Sequence, residues 1–333
     1  MRRVFYLPLF IMALFFILSC EQKQEKLYSS AQYIDSIMPE DSVVIFSRGM
    51  ISRYMAERDA AFSPDGKEFF YSIWLPDRKG VIMHCELKNG FWTNPEPAYF
   101  SGKYSDIEPV FSPDGKRLFF ASNRLVNDSV DQGYDIWYME KINNLWSTPI
   151  NAGFPVNTSA NEFYPSVAAN NNLYLTRGYG AQEKIIYCPF NDSLWDEAVI
   201  LSDSVNESAF QFNAYIQPNE QFIIYSSVGR KDGFGGGDLY INYRDSIGNW
   251  SGAINLGEKI NTTFLDYCPY ITPDGKYFIF TSGKINDTIS KGHLDSFKKI
   301  EACLHANENG HSDLYWVNTD LIFKETKSEL KKQ

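Results

Sequence analysis

Short apolar runs alternate with polar turns along most of this chain. Phe69-Phe70-Tyr71-Ser72-Ile73, Leu118-Phe119-Phe120-Ala121 and Phe278-Ile279-Phe280-Thr281 are typical. Short runs rich in aromatic and β-branched residues, bounded by turn signals, predict strands rather than helices. One turn recurs. Phe62-Ser63-Pro64-Asp65-Gly66-Lys67 returns letter for letter as Phe111-Ser112-Pro113-Asp114-Gly115-Lys116, and again as Ile271-Thr272-Pro273-Asp274-Gly275-Lys276. Weaker copies at 167–171 and 216–220 lack the glycine. Proline presets φ at the first turn position, Asp tolerates the second, and Gly takes the left-handed third. Such a turn joins two antiparallel strands, so five copies predict an array of hairpins.

The residues just before the turns are Phe62, Phe111, Val167, Ile216 and Ile271, spaced by 49, 56, 49 and 55. A period of about 50 residues is that of kelch-type propeller repeats. Each unit divides into four strands. The third reads Asp135-Ile136-Trp137-Tyr138, Asp238-Leu239-Tyr240-Ile241 or Asp313-Leu314-Tyr315-Trp316, and a fourth follows a tight turn closed by Trp92, Trp146, Trp195 or Trp250. The fifth unit lacks its fourth strand, but Val43-Val44-Ile45-Phe46-Ser47 resembles the fourth strand of the first unit. Borrowing it for the last blade would close the ring and remove unpaired edges. The expected fold is an all-β propeller of five four-stranded blades over residues 41–321, followed by a charged tail at 322–333.

Ahead of the repeats, Arg2 and Arg3 precede an apolar run over 4–18 that ends at Ser19-Cys20. A basic start, a short apolar core and a small residue before the cut describe an export signal. Ile17-Leu18-Ser19-Cys20 resembles a bacterial lipobox. That resemblance implies a signal peptide over 1–19, an acyl-modified Cys20, and a membrane tether reaching the domain through a polar linker up to residue 40. The formal net charge of −10 predicts repulsion from nucleic acid. Glu21 rather than Asp after the cysteine gives no clear inner-membrane retention signal by resemblance to known lipoproteins, so the expected location is the outer membrane, facing periplasm or surface.

The repeated Ser-Pro-Asp-Gly-Lys turns, each followed by strands such as Leu118-Phe119-Phe120-Ala121-Ser122, resemble the "PD" class of WD-like propeller repeats of the TolB-like family and of exported lipoproteins. The resemblance spans roughly residues 41–321 and is strongest in units one, two and five. It implies a module that binds a protein or another ligand; the propeller itself is expected to be monomeric.

The second-to-third strand connections are long, at 123–134, 228–237 and 283–312, and should gather on one face. Binding residues concentrate on long loops held by a rigid scaffold. Five residues before each anchor stand Glu57, Asp106, Glu162, Gln211 and Asp266. A ring of these at the channel mouth could hold a cation or a basic ligand group. The favoured reading is structural, with the ring bridged between blades by Arg124, Arg177, Arg230 and Lys284. Asp135, Asp238 and Asp313 read as turn caps. Gly233-Phe234-Gly235-Gly236-Gly237 lacks the strand-to-helix setting of a phosphate loop.

The 284–312 insertion carries a helical pattern over 296–304 with a Ser296 cap. His293, His305, His311 and Cys303 lie in or beside it, at a spacing that matches no standard zinc signature. Neither a nucleophile elbow nor a Ser-His-Asp set is present, and the residues imply no metal and no cofactor. The expectation is a non-catalytic, lipid-anchored module of the cell envelope that binds a protein or glycan. The alternative is a glycoside hydrolase or lyase, with Asp106, Glu162 and Asp266 supplying an acid–base pair.

Overall fold

The computed structural model describes residues 33–35, 38–126, 133–207 and 210–330. Cys20, the export signal and most of the linker lie outside them. Five antiparallel sheets follow one another along the chain. Their innermost strands are Ala56–Phe62, Asp106–Phe111, Asn161–Val167, Phe210–Ile216 and Asp266–Ile271. In blades 1 to 4 the fourth strand follows the third in sequence. In blade 5 it comes from the N-terminal side, with Val44 opposite Trp316 and Ile45 opposite Tyr315. The ring closes as its sequence pattern predicted.

The turns form as their chemistry requires. Gly66, Gly115 and Gly275 have φ near +70°, and each donates its N–H to the residue three back, at 2.8 Å. In the two weaker copies Asn171 and Glu220 adopt the same left-handed conformation, with the same backbone bond at 2.9 and 2.7 Å.

Apolar burial is organised between blades. In the second strand of blade 2, Leu118 and Phe120 pack toward Phe70 and Phe100 of blade 1. Phe119 and Ala121 point the other way, toward Leu173 and Leu175 of blade 3. Side chains alternate faces with a period of two, and both faces are covered, so these strands read as unbroken apolar runs. Equivalent cores fill the junctions of blades 3 with 4, 4 with 5 and 5 with 1. The last of these includes Phe46, Trp316, Phe62 and Phe69, so the borrowed strand carries core as well as ladder.

Two features had no counterpart in the sequence pattern. Residues Thr319–Leu330 form a helix. Its Leu321 and Ile322 enter the core between blades 4 and 5, and Phe323 packs edge-on against Phe222 at 5.3 Å. Asn157, Asn206 and Asn261 each imitate a strand. Each side chain accepts the backbone N–H and donates to the carbonyl of one third-strand residue, Ile136, Ile185 or Leu239, at 2.8–3.0 Å. They fasten the outgoing connection of one blade to its own third strand before the chain enters the next.

Candidate functional site

The five strand-start residues, Glu57, Asp106, Glu162, Gln211 and Asp266, are all buried and sit at equivalent places. The four acids turn back onto the connection that precedes them. Glu57 accepts from the N–H groups of Arg53 and Met55 at 3.1 and 3.3 Å. Glu162 accepts from the Thr158 hydroxyl at 2.7 Å, and Asp266 from Thr262 N–H and hydroxyl at 2.5 and 2.9 Å. Asp106 accepts from Ser101 and Ser122 at 2.9 and 2.6 Å.

Two of the expected basic partners are in place. Arg124 meets Asp106 and Arg177 meets Glu162, each at 2.9 Å. Both pairs lie within a blade rather than between blades, because each arginine stands at or just beyond the end of the second strand of the same hairpin. The arginines then donate onward to the carbonyls of Phe100 and Val156 in the incoming connections, at 2.5 and 2.7 Å. Arg230 turns instead to Glu207 and Lys284 to Glu308, at 2.6 and 3.0 Å. Glu57 and Asp266 are therefore held by neutral donors, and burial pushes their carboxyls up to about 8 and about 6.

The residues that converge on the axis are two places further along. Asp59, Glu108, Tyr164, Asn213 and Cys268 stand three residues before the anchors, and all five have positive φ, between 49° and 62°. Each lies in a register shift of its inner strand. A bulge of this kind re-aims a side chain out of the pleat, here toward the centre of the ring.

There they meet Arg58. Its guanidinium contacts Asp59 at 2.9 Å and Glu108 at 2.6 Å, reaches Cys268 Sγ at 3.3 Å, and lies over the rings of Tyr267 and Trp74. Glu108 also accepts from Tyr164 N–H at 2.6 Å and Asn213 Nδ2 at 3.1 Å. One buried cluster thus ties all five blades at the axis. Burial alone would lower the Arg58 pKa, but Asp59, Cys268 and Glu108 together hold it well above its usual value. Burial pushes the Glu108 carboxyl up despite Arg58 beside it.

The reason for a glutamate at this point is local. In blades 1 and 3 a second-strand hydroxyl accepts the bulge N–H of the next blade, Ser72 from Glu108 and Thr176 from Asn213. Blade 2 has Ala121 in that register, which cannot accept. The Glu108 carboxylate takes the Tyr164 N–H instead. The sequence signals were weak ones: a polar residue inside an apolar strand, and Pro109, Pro165 or Pro269 directly after it, since proline inside a strand marks a break in the ladder.

The cluster divides the channel. Beyond it, on the face of the repeated turns, opens a funnel of about 460 Å³ walled by Phe111, Ile216, Tyr215 and Tyr270 and rimmed by the turn prolines. The opposite face carries the long connections. Its main relief is the blade 5 insertion, where Phe297–Leu304 forms a helix capped by the Ser296 side chain. None of its residues is buried, and Phe297 and Leu304 are 78% and 60% exposed, with Ile300 between them. Asn309 fixes the insertion to the Tyr54 carbonyl, and His305 packs on the Tyr54 ring at 5.2 Å. Among the described residues no group of three or more His, Cys, Asp or Glu converges as metal ligands. Cys85, Cys188, Cys268 and Cys303 are free thiols. Asp238 and Asp313 cap their turns, accepting from Phe234 and Glu308 N–H at 3.0 and 2.6 Å.

No protein-family model and no curated protein matches the chain. Among solved structures it is similar to TolB from Acinetobacter baumannii, with TM-score 0.46 and 15% identity, over 79% of this chain and 54% of that one. The chain thus spans about half the length of that protein. It is also similar to a putative TolB from Agrobacterium tumefaciens, at 0.46 and 13%, over 79% and 90% of the two chains. An arabinanase from Bacillus subtilis gives 0.48 and 12%, over 78% and 93%. None of these likenesses bears on function.

Proposed function

We propose that this propeller is a non-catalytic binding module of the cell envelope that engages a protein or glycan partner through its long-loop face. A lipid on Cys20 would tether it to the outer membrane, on the periplasmic or surface side. The observation that carries this is the pairing of the acids in and near the channel. Asp59 and Glu108 are engaged by Arg58, Asp106 by Arg124 and Glu162 by Arg177. Glycoside hydrolysis needs two carboxyls about 5–9.5 Å apart and open to substrate, whereas these carboxylates are buried and already occupied by arginines. The exposed apolar helix of the insertion supports an interaction face, because large side chains left in water on one side of a helix are the signature of an unpaired surface.

A carbohydrate-active enzyme is the alternative, and one observation favours it: Glu57 and Asp266 are buried carboxyls, raised by that burial, that pair with no lysine or arginine among the described residues. The deciding experiment uses detergent-solubilised full chain as bait for envelope extracts. Beside it run Phe297→Asp with Leu304→Asp, and separately Glu57→Gln with Asp266→Asn. Retention of a protein or polysaccharide that only the first variant loses supports the module. Polysaccharide cleavage that only the second variant loses establishes an enzyme.

A further inference from the structure

The rim of the turn face repeats one departure from strand patterning. In blades 1 to 4 the third strand ends beside the repeated turn and runs into a tight outer hairpin. The N–H groups of Leu87, Lys141 and Arg244 donate to the carbonyls of Lys67, Lys116 and Gln221, each at 2.8 Å. In blade 3 the N–H of Phe190 donates to the Asn172 side chain at 2.9 Å. Trp92, Trp146 and Trp195 turn inward from these hairpins, with ring centroids 6.1, 6.0 and 5.9 Å from Phe62, Phe111 and Phe119. Side chains alternate along a strand, so the residue before each tryptophan faces water, where a polar group belongs. The chain has Phe91, Leu145 and Leu194 there instead, and in blade 4 the longer turn 245–249 carries Ile247. These four side chains are 78, 74, 71 and 83% exposed. In blade 5 the equivalent bond is made by Thr319 to Lys276, and the C-terminal helix takes the place of a hairpin.

A single exposed apolar side chain is ordinary; a large one at the same place in four blades has a common cause. Each stands alone among Asn, Gly, Asp or Ser, and the four are spread around the ring. A folded partner would need four matching pockets across the whole disk, whereas a fluid apolar phase needs none. The described chain also begins on this face. Tyr33 is buried, its hydroxyl donates to Asp274 at 2.5 Å, and its ring packs edge-on against Phe62 and Tyr277. The chain upstream, which carries the apolar run over 4–18, therefore joins the domain on the turn side. We infer that the turn face docks on a phospholipid bilayer, with Phe91, Leu145, Leu194 and Ile247 entering the boundary between headgroups and acyl chains. Buried apolar area supplies the affinity. Charge supplies little, because Lys116 and Lys276 stand 3.7 and 3.3 Å from aspartates of their own turns. Docking this way directs the long-loop face away from the membrane, toward the partner proposed above. The tips themselves require neither that partner nor a lipid on Cys20.

The test uses the full chain with Cys20→Ser and Cys303→Ser. Its remaining thiols are buried, so a single added cysteine takes the polarity-sensitive dye NBD. Ile247→Cys reports the turn face and Phe297→Cys the long-loop face. On phosphatidylcholine vesicles the Ile247 label should brighten about threefold and be quenched by spin-labelled acyl chains, since it leaves water for the headgroup–acyl boundary. The Phe297 label should keep its emission. Adding Phe91→Asp, Leu145→Asp and Leu194→Asp should abolish the brightening and leave the urea midpoint in place, because exposed substitutions spare the fold. An Ile247 label that stays in water, or a Phe297 label that brightens as much, overturns the inference. Brightening that survives the three aspartates also overturns it, and assigns attachment to the apolar run over 4–18 alone. Brightening that needs no vesicles and grows with protein concentration overturns it in favour of a second copy of the chain.

Discussion

The two rings of the inner strands are two residues apart in sequence and opposite in character. The strand-start ring repeats a chemical type, with acids in four blades of five, and each acid finds its donors in its own blade or in the connection leading into it. The axial ring repeats a backbone geometry in all five blades, yet its side chains are Asp, Glu, Tyr, Asn and Cys. A contact made inside a repeat can be copied with the repeat. A contact made across the axis meets a different partner from each side, so only one blade can supply Arg58 and only its neighbour needs Glu108. Sequence repetition therefore marks what each blade does for itself, and its failure marks where blades depend on one another.

The sharpest way to break this contrast is at the axis. Arg58→Ala leaves Asp59 and Glu108 buried without their counter-charge, which costs about 3–5 kcal/mol, read as a lower midpoint in urea unfolding. Arg58→Met with Asp59→Asn and Glu108→Gln should recover most of that loss, because a buried ion cluster can be replaced by neutral groups of similar volume. Failure of the triple variant to recover would make the charges themselves necessary for assembling the ring.

The strand-start ring should respond differently to pH. The Glu57 carboxyl is raised to about 8 in the folded chain, while an unfolded glutamate ionises near 4.3. Between those values the unfolded state releases its proton and the folded state keeps it. Stability from this group is fully present below about pH 4 and is lost as pH climbs toward 8. Glu57→Gln should flatten that slope and leave the variant about 2–4 kcal/mol more stable than the parent at pH 8. Denaturation midpoints at pH 5 and pH 8 would show it, and parallel losses in both proteins would refute the assignment.

A milder loss is expected from Arg124→Ala. Asp106 keeps its two serine donors, so the cost should be about 1–3 kcal/mol, below that of Arg58→Ala in the same unfolding assay. An equal cost would erase the distinction between the rings. Phe297→Asp, on the exposed insertion helix, should change stability by less than about 0.5 kcal/mol, in keeping with a side chain that serves a partner rather than the fold.

The turn motifs, their spacing and the apolar runs determined the blade count, the strand order and the closing strand from the sequence alone. These rest on local rules: Pro and Gly fix a turn, and alternation fixes which way each side chain points. The Ser296 cap and the Asp238 and Asp313 turns were legible for the same reason. Only the tertiary structure decided that the acids five residues before the anchors bond backward into their connections and that the acids three before them meet at the axis. A one-residue bulge separates those outcomes, and its left-handed residue is not a glycine in any blade. The C-terminal helix was likewise decided by tertiary packing. Leu321, Ile322 and Phe323 form too short an apolar stretch to specify a helix by themselves, and they do so where the surfaces of blades 4 and 5 receive them.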